Sequence, residues 1–208
     1  FKVTDKEEFI KSVGNSVGRA LTELIFNKEF ITAKNKIKYE NDIPECLLNA
    51  KKNNKPVILV SGHFGQWEAV RIMLKRNGFE TGAIYRKNKN PFFESMYLKN
   101  IRLGGEPIFP AGLAGTKRMI KHLKAGGILA LLLDQAVSDG DDFKFFGLKA
   151  KTSMAIAELA LKYNASIVPC YGIREQDGVS IRVVFEDPIR NDSPRKIIQS
   201  INDSLEAR

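Results

Sequence analysis

His63 and Glu68 stand five residues apart in "SGHFGQWEA" (61–69), directly after the apolar run Pro56-Val57-Ile58-Leu59-Val60. An imidazole can take a proton from a hydroxyl near neutral pH, and a carboxylate bonded to its other ring nitrogen fixes the tautomer and supports the imidazolium that forms. Positions i and i+5 of one helix lie about 140° apart around its axis, so the two side chains meet only if His63 precedes the helix and Glu68 falls in its first turn. Gly65 permits the tight strand-to-helix path this requires. The arrangement orients a base as a catalytic triad does, with a substrate hydroxyl in place of serine, and it needs no protein nucleophile. H-x4-E is also a loose pattern, and a capping pair or a satisfied core histidine fits it as well.

Further polar residues close other apolar runs. Tyr85 and Arg86, in "YRKNKNP", end the next expected strand, on the same edge as His63. Arg86 suits planar contact with a phosphate or the countering of a developing oxyanion. Between 71 and 102, eight Lys and Arg face two Glu, an excess of six that either grips an anion or forms a solvated basic face. Asp134 and Gln135 end "GILALLLD". Burying an unmatched carboxylate is costly, so the pair supports His63 or Arg86, or else caps the loop that follows. His122 lies on the polar side of "GTKRMIKHLKAG" and reads as a solvated helix residue. Cys46 and Cys170 are far apart, without CxxC spacing or a nearby histidine, which argues against a zinc site or a disulfide framework and favours a reducing compartment. Cys170, in "ASIVPCY", reads as a core thiol.

The elements that position these residues alternate. Strands are expected near 56–61, 81–85, 107–109, 127–133, 166–171 and 179–185, with helices near 65–77, 91–103, 113–125 and 152–163 and a last one after Pro194. Near-continuous apolar runs such as "GILALLLD" suit strands covered on both faces. The pattern is α/β, a single domain over residues 1–208 with a mostly parallel central sheet flanked by helices. Ligands of such sheets gather at the carboxyl ends of the strands, where His63 falls. Residues 6–30 carry apolar positions from Phe9 to Ile25 at three- and four-residue steps, an amphipathic helix expected to cover something apolar. A short helix follows Pro44. The stretch 137–151 shows turn residues and a Phe cluster without clear period, long for a connection.

The 208 residues, 43% apolar, suffice for one sizeable core. A net charge of +9 points to an anionic partner: a nucleic acid, a membrane face, a phosphorylated substrate or an acidic carrier. No run of eighteen apolar residues occurs. Starting at Phe1 and stopping inside a helical pattern, the chain reads as a piece of a longer protein.

Four blocks, in order and spacing, resemble the lipid A biosynthesis acyltransferases within the glycerolipid acyltransferase superfamily. "SGHFGQWE" is similar to that family's H-x4-D/E block, "YRKNKNP" to its Tyr-Arg block and "GGILALLLDQ" to its strand ending in Asp-Gln. "FFGLKAKTSMAIAELALKYNASIVPCY" is similar to its Phe-Phe-Gly, Thr-containing helix and Pro-containing strand, here Phe145, Phe146, Gly147, Thr152 and Pro169. Ala136 stands where many members have an acidic residue. The resemblance implies a glycerolipid acyltransferase-like fold and transfer of a fatty acyl chain from acyl carrier protein to a hydroxyl of a lipid A precursor, without metal or cofactor. In it His63 is the base, Glu68 holds His63, and Arg86 steadies the oxyanion; Tyr85, Asp134, Gln135 and Thr152 complete the substrate site. It further implies the cytoplasmic face of the inner membrane, with an N-terminal anchor and a C-terminal tail outside these residues. A lysophospholipid, glycerol phosphate or mannosylated inositol lipid would serve the same chemistry as acceptor. A non-catalytic basic module for nucleic acid or membrane is the alternative of another class, though no zinc-finger spacing or RNP-like strand supports nucleic acid.

Overall fold

In the computed structural model, which describes residues 4–32, 37–39, 42–190 and 192–208, the expected alternation is realised with three additions. Helices α1 (Lys6–Ile25) and α2 (Asn27–Thr32) lead to β1 (Ile37–Tyr39) and α3 (Glu45–Asn53). Then come β2 (Val57–Ser61), α4 (Glu68–Arg76), β3 (Thr81–Tyr85), α5 (Pro91–Leu103), β4 (Ile108–Pro110), α6 (Leu113–Lys124) and β5 (Ile128–Leu132). The chain continues through β6 (Asp141–Phe145), β7 (Leu148–Thr152), α7 (Ala155–Tyr163), β8 (Ser166–Arg174), β9 (Ile181–Phe185) and α8 (Pro194–Glu206).

The main sheet has the order β1-β9-β8-β2-β5-β3-β4. Strands β8, β2, β5, β3 and β4 are mutually parallel, while β9 runs against β8 and β1 runs with β9. Every residue of β2 is buried, because alternate side chains enter two different cores. Val57 and Leu59 pack with Leu47 of α3 and with Val70 and Met73 of α4. Ile58 and Val60 pack with Leu123 of α6, Ala157 of α7 and Ile197 and Ile201 of α8. Each such burial contributes about 2 kcal/mol, so the centre of the sheet is its firmest part.

Pro169 sits in the middle of β8 without breaking it. Pairing with β2 ends at Pro169, and pairing with β9 begins at Cys170. The missing N–H therefore falls where the strand changes partner.

Three features depart from expectation. β1 is an edge strand too short to show a period. The stretch 137–151 contains the antiparallel hairpin β6–β7, turned by Phe146 and Gly147, both at positive φ, a two-residue turn matching the twist of paired strands. And α1 covers an apolar surface only near its end: Ala20 and Leu24 are buried, whereas Thr4 to Arg19 are exposed throughout.

Candidate active site

The pairing of β2 with β5 sets Ser61 opposite Leu132, and the Leu133 N–H donates to the Ser61 carbonyl at 2.9 Å. Two residues beyond each paired end stand His63 and Asp134. They meet: the His63 backbone N–H donates to Asp134 Oδ2 at 2.6 Å, and His63 Nδ1 lies 2.6 Å from Oδ1. A carboxylate only accepts, so Nδ1 carries the proton and Nε2 is left to receive another. Burial opposes the charge on Asp134, but the side-chain and backbone hydrogen bonds from His63 outweigh it and hold the carboxyl below the usual aspartate range. The Trp67 ring stands edge-on to the imidazole, centroids 5.6 Å apart.

The turn carrying His63 lies against β8 through two glycines. Gln66 N–H donates to the Gly172 carbonyl at 2.8 Å. Gly65 has φ +59°, and a Cβ there would stand 2.1 Å from that carbonyl oxygen; a Cβ on Gly172 would stand 2.1 Å from the Gln66 oxygen. Backbone meets backbone with no room for a side chain.

Glu68 does not hold His63. It opens α4, and its Oε2 accepts from Arg71 Nη1, one turn on, at 2.7 Å. This ion pair is buried, the side chains 3% and 10% exposed. Arg71 also donates to the carbonyls of Gly105 (2.6 Å), Ile101 and Thr81 (both 3.3 Å), bolting α4 to the α5–β4 connection. An i,i+3 partner on the same helix lies closer to Glu68 than a residue in the preceding turn. Asp134, expected to support His63 or Arg86, is the carboxylate that contacts His63, in the place expected of Glu68, and Arg71 leaves the basic surface to which its charge assigned it.

A cavity of about 730 Å³ opens beside His63, of a size suited to a lipid-like ligand. Leu131 and Cys170 line it from the sheet, Trp67 and Ile156 from the turn before α4 and from α7, Leu21, Leu24 and Ile25 from α1, and Phe93, Met96 and Tyr97 from α5. Glu68, Tyr85, Arg86 and Gln135 are also in its wall. Burial holds the Cys170 thiol far above its ordinary range, so it stays neutral.

Tyr85 donates its hydroxyl to Glu94 Oε1 at 2.9 Å, while Glu94 Oε2 accepts from the Asn88 N–H at 2.9 Å. That backbone bond leads in holding the Glu94 carboxyl low, and burial followed by the Glu94 bond pushes the Tyr85 phenol up. The pair fixes the loop that presents Arg86, an exposed guanidinium in the cavity wall. Other cations of the region are engaged elsewhere: Lys75 with Glu80 at 3.8 Å, Arg102 with Glu106 at 3.4 Å, and Arg76 with the Ile31 carbonyl. Arg86, Lys87 and Lys89 make no ion pair among the described residues.

Thr152 lies apart from this cavity. It lines a smaller space of about 170 Å³ bounded by Val137, Ile198 and Ile201, which shares Leu132, Leu133, Gln135 and Ile156 with the larger one. His122 is half-buried, with Nε2 3.2 Å from the Ile128 carbonyl and its ring on Phe109, a structural role rather than a solvated one. Glu23, whose carboxylate accepts from Arg174 at 2.7 and 2.6 Å and from Gln66 at 2.9 Å, carries no sequence signal, since it joins residues distant in the chain; Glu94 carries none because its partners, Tyr85 and Asn88, lie outside any helical or strand spacing from it. Arg71 had one, its i,i+3 spacing from Glu68.

A family model, that of the bacterial lipid A biosynthesis acyltransferases, matches residues 3–208. The crystal structure of the 1-acyl-sn-glycerophosphate (LPA) acyltransferase PlsC from Thermotoga maritima superposes with a TM-score of 0.47 at 13% identity, covering 99% of this chain and 81% of that one. No curated protein matches the chain.

Proposed function

The chain belongs to the bacterial lipid A biosynthesis acyltransferase family, and from that membership we propose that it moves a fatty acyl chain from acyl carrier protein to a hydroxyl of a lipid A precursor, with His63 as general base. His63 Nε2 takes the hydroxyl proton as the oxygen attacks the thioester carbonyl. The resulting oxyanion collapses, the C–S bond breaks, and the imidazolium returns its proton to the leaving thiolate. Asp134 fixes the ring through Nδ1 and balances the transient positive charge, as the carboxylate of a triad does. Arg86 faces the developing oxyanion or an acceptor phosphate. Glu68, held by Arg71, shapes the cavity wall and keeps α4 in place. The apolar lining receives alkyl chains, and the basic mouth suits phosphates, an acidic carrier and the cytoplasmic leaflet of the inner membrane.

One observation supports this most strongly: an imidazole tied through Nδ1 to a carboxylate, its ring in the wall of an apolar cavity. His63→Ala is expected to lower transfer from acyl carrier protein by about a hundredfold or more with the fold intact by circular dichroism. Near-normal turnover would remove His63 from the chemistry. Assays with lysophosphatidic acid beside the lipid A precursor separate the acceptors, and a preference for the former would overturn the acceptor assigned here.

A further inference from the structure

On several surface elements an exposed lysine is matched by an acid: Lys11 by Glu7 at 3.2 Å, Lys151 by Asp142 at 3.0 Å and Lys196 by Asp192 at 2.9 Å. Helix α6 differs. Its twelve residues hold Lys117, Arg118, Lys121 and Lys124 and neither Asp nor Glu. All four cations are exposed, and none makes an ion pair among the described residues; Arg118 and Lys124 only lie over the rings of Phe109 and Tyr163, 5.9 and 5.4 Å from the centroids. At about 100° per residue, Leu113, Lys117, Lys121 and Lys124 share a stripe about 80° wide, with Arg118 beside it. Met119 and Leu123, on the other side of the helix, are buried in the core. Lys117 and Lys121 stand four residues apart and Lys121 and Lys124 three, spacings at which like charges destabilise a helix. An acidic partner would turn that cost into attraction.

The stripe begins at the cavity. Ala111 is in the cavity wall, and its N–H donates to the Tyr85 carbonyl at 2.8 Å, which fixes the start of α6 beside the loop that carries Arg86. Leu113, two residues on, is 75% exposed and is the one large apolar side chain that α6 turns to solvent. From there the cations follow the helix away from the mouth for about 17 Å.

We propose that the exposed face of α6 is the docking surface for the acidic acyl carrier protein, holding it where its thioester arm enters the cavity past Leu113 and Ala111. The proposal rests on the donor assigned above and names the surface that recognises it. Acidic side chains of the carrier would meet the lysine stripe, an electrostatic match that sets orientation and register. The cations guide the carrier, and the apolar end of the stripe marks where its arm must turn in. Other occupants fit less well. A helix lying in a lipid interface needs a broad apolar face, and that of α6 is spent on the core. A nucleic acid has no use for an apolar cavity at the end of the stripe, and a second copy would bring two chains of +9 together.

The test is fluorescence anisotropy of a labelled carrier protein bearing its free pantetheine arm, titrated with the purified protein, so that no turnover is required. Binding is expected to weaken as salt is raised. Lys117→Glu with Lys121→Glu, both at exposed positions, should weaken it about tenfold or more with the melting temperature unchanged. The control is Lys52→Glu with Lys55→Glu, which lowers the net charge equally at the opposite edge of the sheet, before β2, and should bind as the parent does. An α6 variant that binds the carrier as tightly as the parent overturns the proposal. So does a control that loses as much, since net charge alone then explains the binding, and so does a parent that binds labelled duplex DNA more tightly than the carrier. Transfer from acyl carrier protein is assayed beside the titration. A parent that transfers while the α6 variant binds unchanged overturns the docking surface alone, and a parent that binds through α6 without transferring overturns the proposed function alone.

Discussion

Arg71 decides what Glu68 can do. A buried guanidinium that loses its carboxylate partner becomes an uncompensated charge, and such losses cost about 3 to 5 kcal/mol. Three carbonyls still accept from Arg71, so Glu68→Ala is expected near the lower end, about 3 kcal/mol in urea unfolding, and Glu68→Gln, which keeps an acceptor, at less than half of that. A Glu68→Ala protein of parental stability with transfer abolished would make Glu68 a participant in the chemistry. Asp134 has the opposite character, since its partner is an imidazole, which under the proposed function must change charge. Its carboxyl is held below its ordinary value of 3.8, so its stabilisation is complete above that value and is lost as pH falls through the lower folded one. In thermal melts against pH, the advantage of the parent over Asp134→Asn should therefore be constant near neutrality and shrink below about 3.8. An advantage unchanged into stronger acid would mean that the carboxylate gains nothing from His63.

At the scale of elements, the site is a consequence of register. Strands β2 and β5 have equal length and pair end to end, and each carries its polar residue two positions past the pairing, so adjacency alone brings His63 to Asp134. Six of the strands, β2 to β5, β8 and β9, the helix starts at Pro91 and Pro194 and the placing of His63 at a strand end were legible in the sequence, because hydrophobic period and proline punctuation are local signals. The neighbour of β2 was not. Strand order is set by crossovers and carries no local signature, so the sequence offers Asp134 only as a support for either His63 or Arg86, and the carboxylate nearer in sequence, Glu68, as the first partner of the histidine. Hairpin β6–β7 was legible in retrospect, in the alternation of "FKF" and "LKAKT" around Phe146-Gly147. The turn after β2 is tested by Gly65→Ala. A positive φ together with a Cβ 2.1 Å from a carbonyl oxygen is expected to cost about 2 kcal/mol or more and to reduce transfer by displacing His63. A Gly65→Ala protein with unchanged melting temperature and rate would show that the turn does not need its contact with β8.

For the molecule as a whole, the sheet places an imidazole, its carboxylate partner and an apolar cavity at one edge, with α1 and α5 both in the cavity wall. Of the basic residues between 71 and 102, Arg71, Lys75 and Arg102 are held in ion pairs, and Arg86, Lys87 and Lys89, which make none among the described residues, are the ones the proposed function assigns to an anion. All of this depends on His63 and Asp134 acting as one device. The most direct measurement is a double-mutant cycle on the acyl transfer rate with His63→Ala, Asp134→Ala and the two combined. Groups that act together lose their effect together. Each single change should lower the rate by about a hundredfold or more, and the combined change should lower it little further; rate losses that multiply, or an Asp134→Ala protein as fast as the parent, would contradict the pairing.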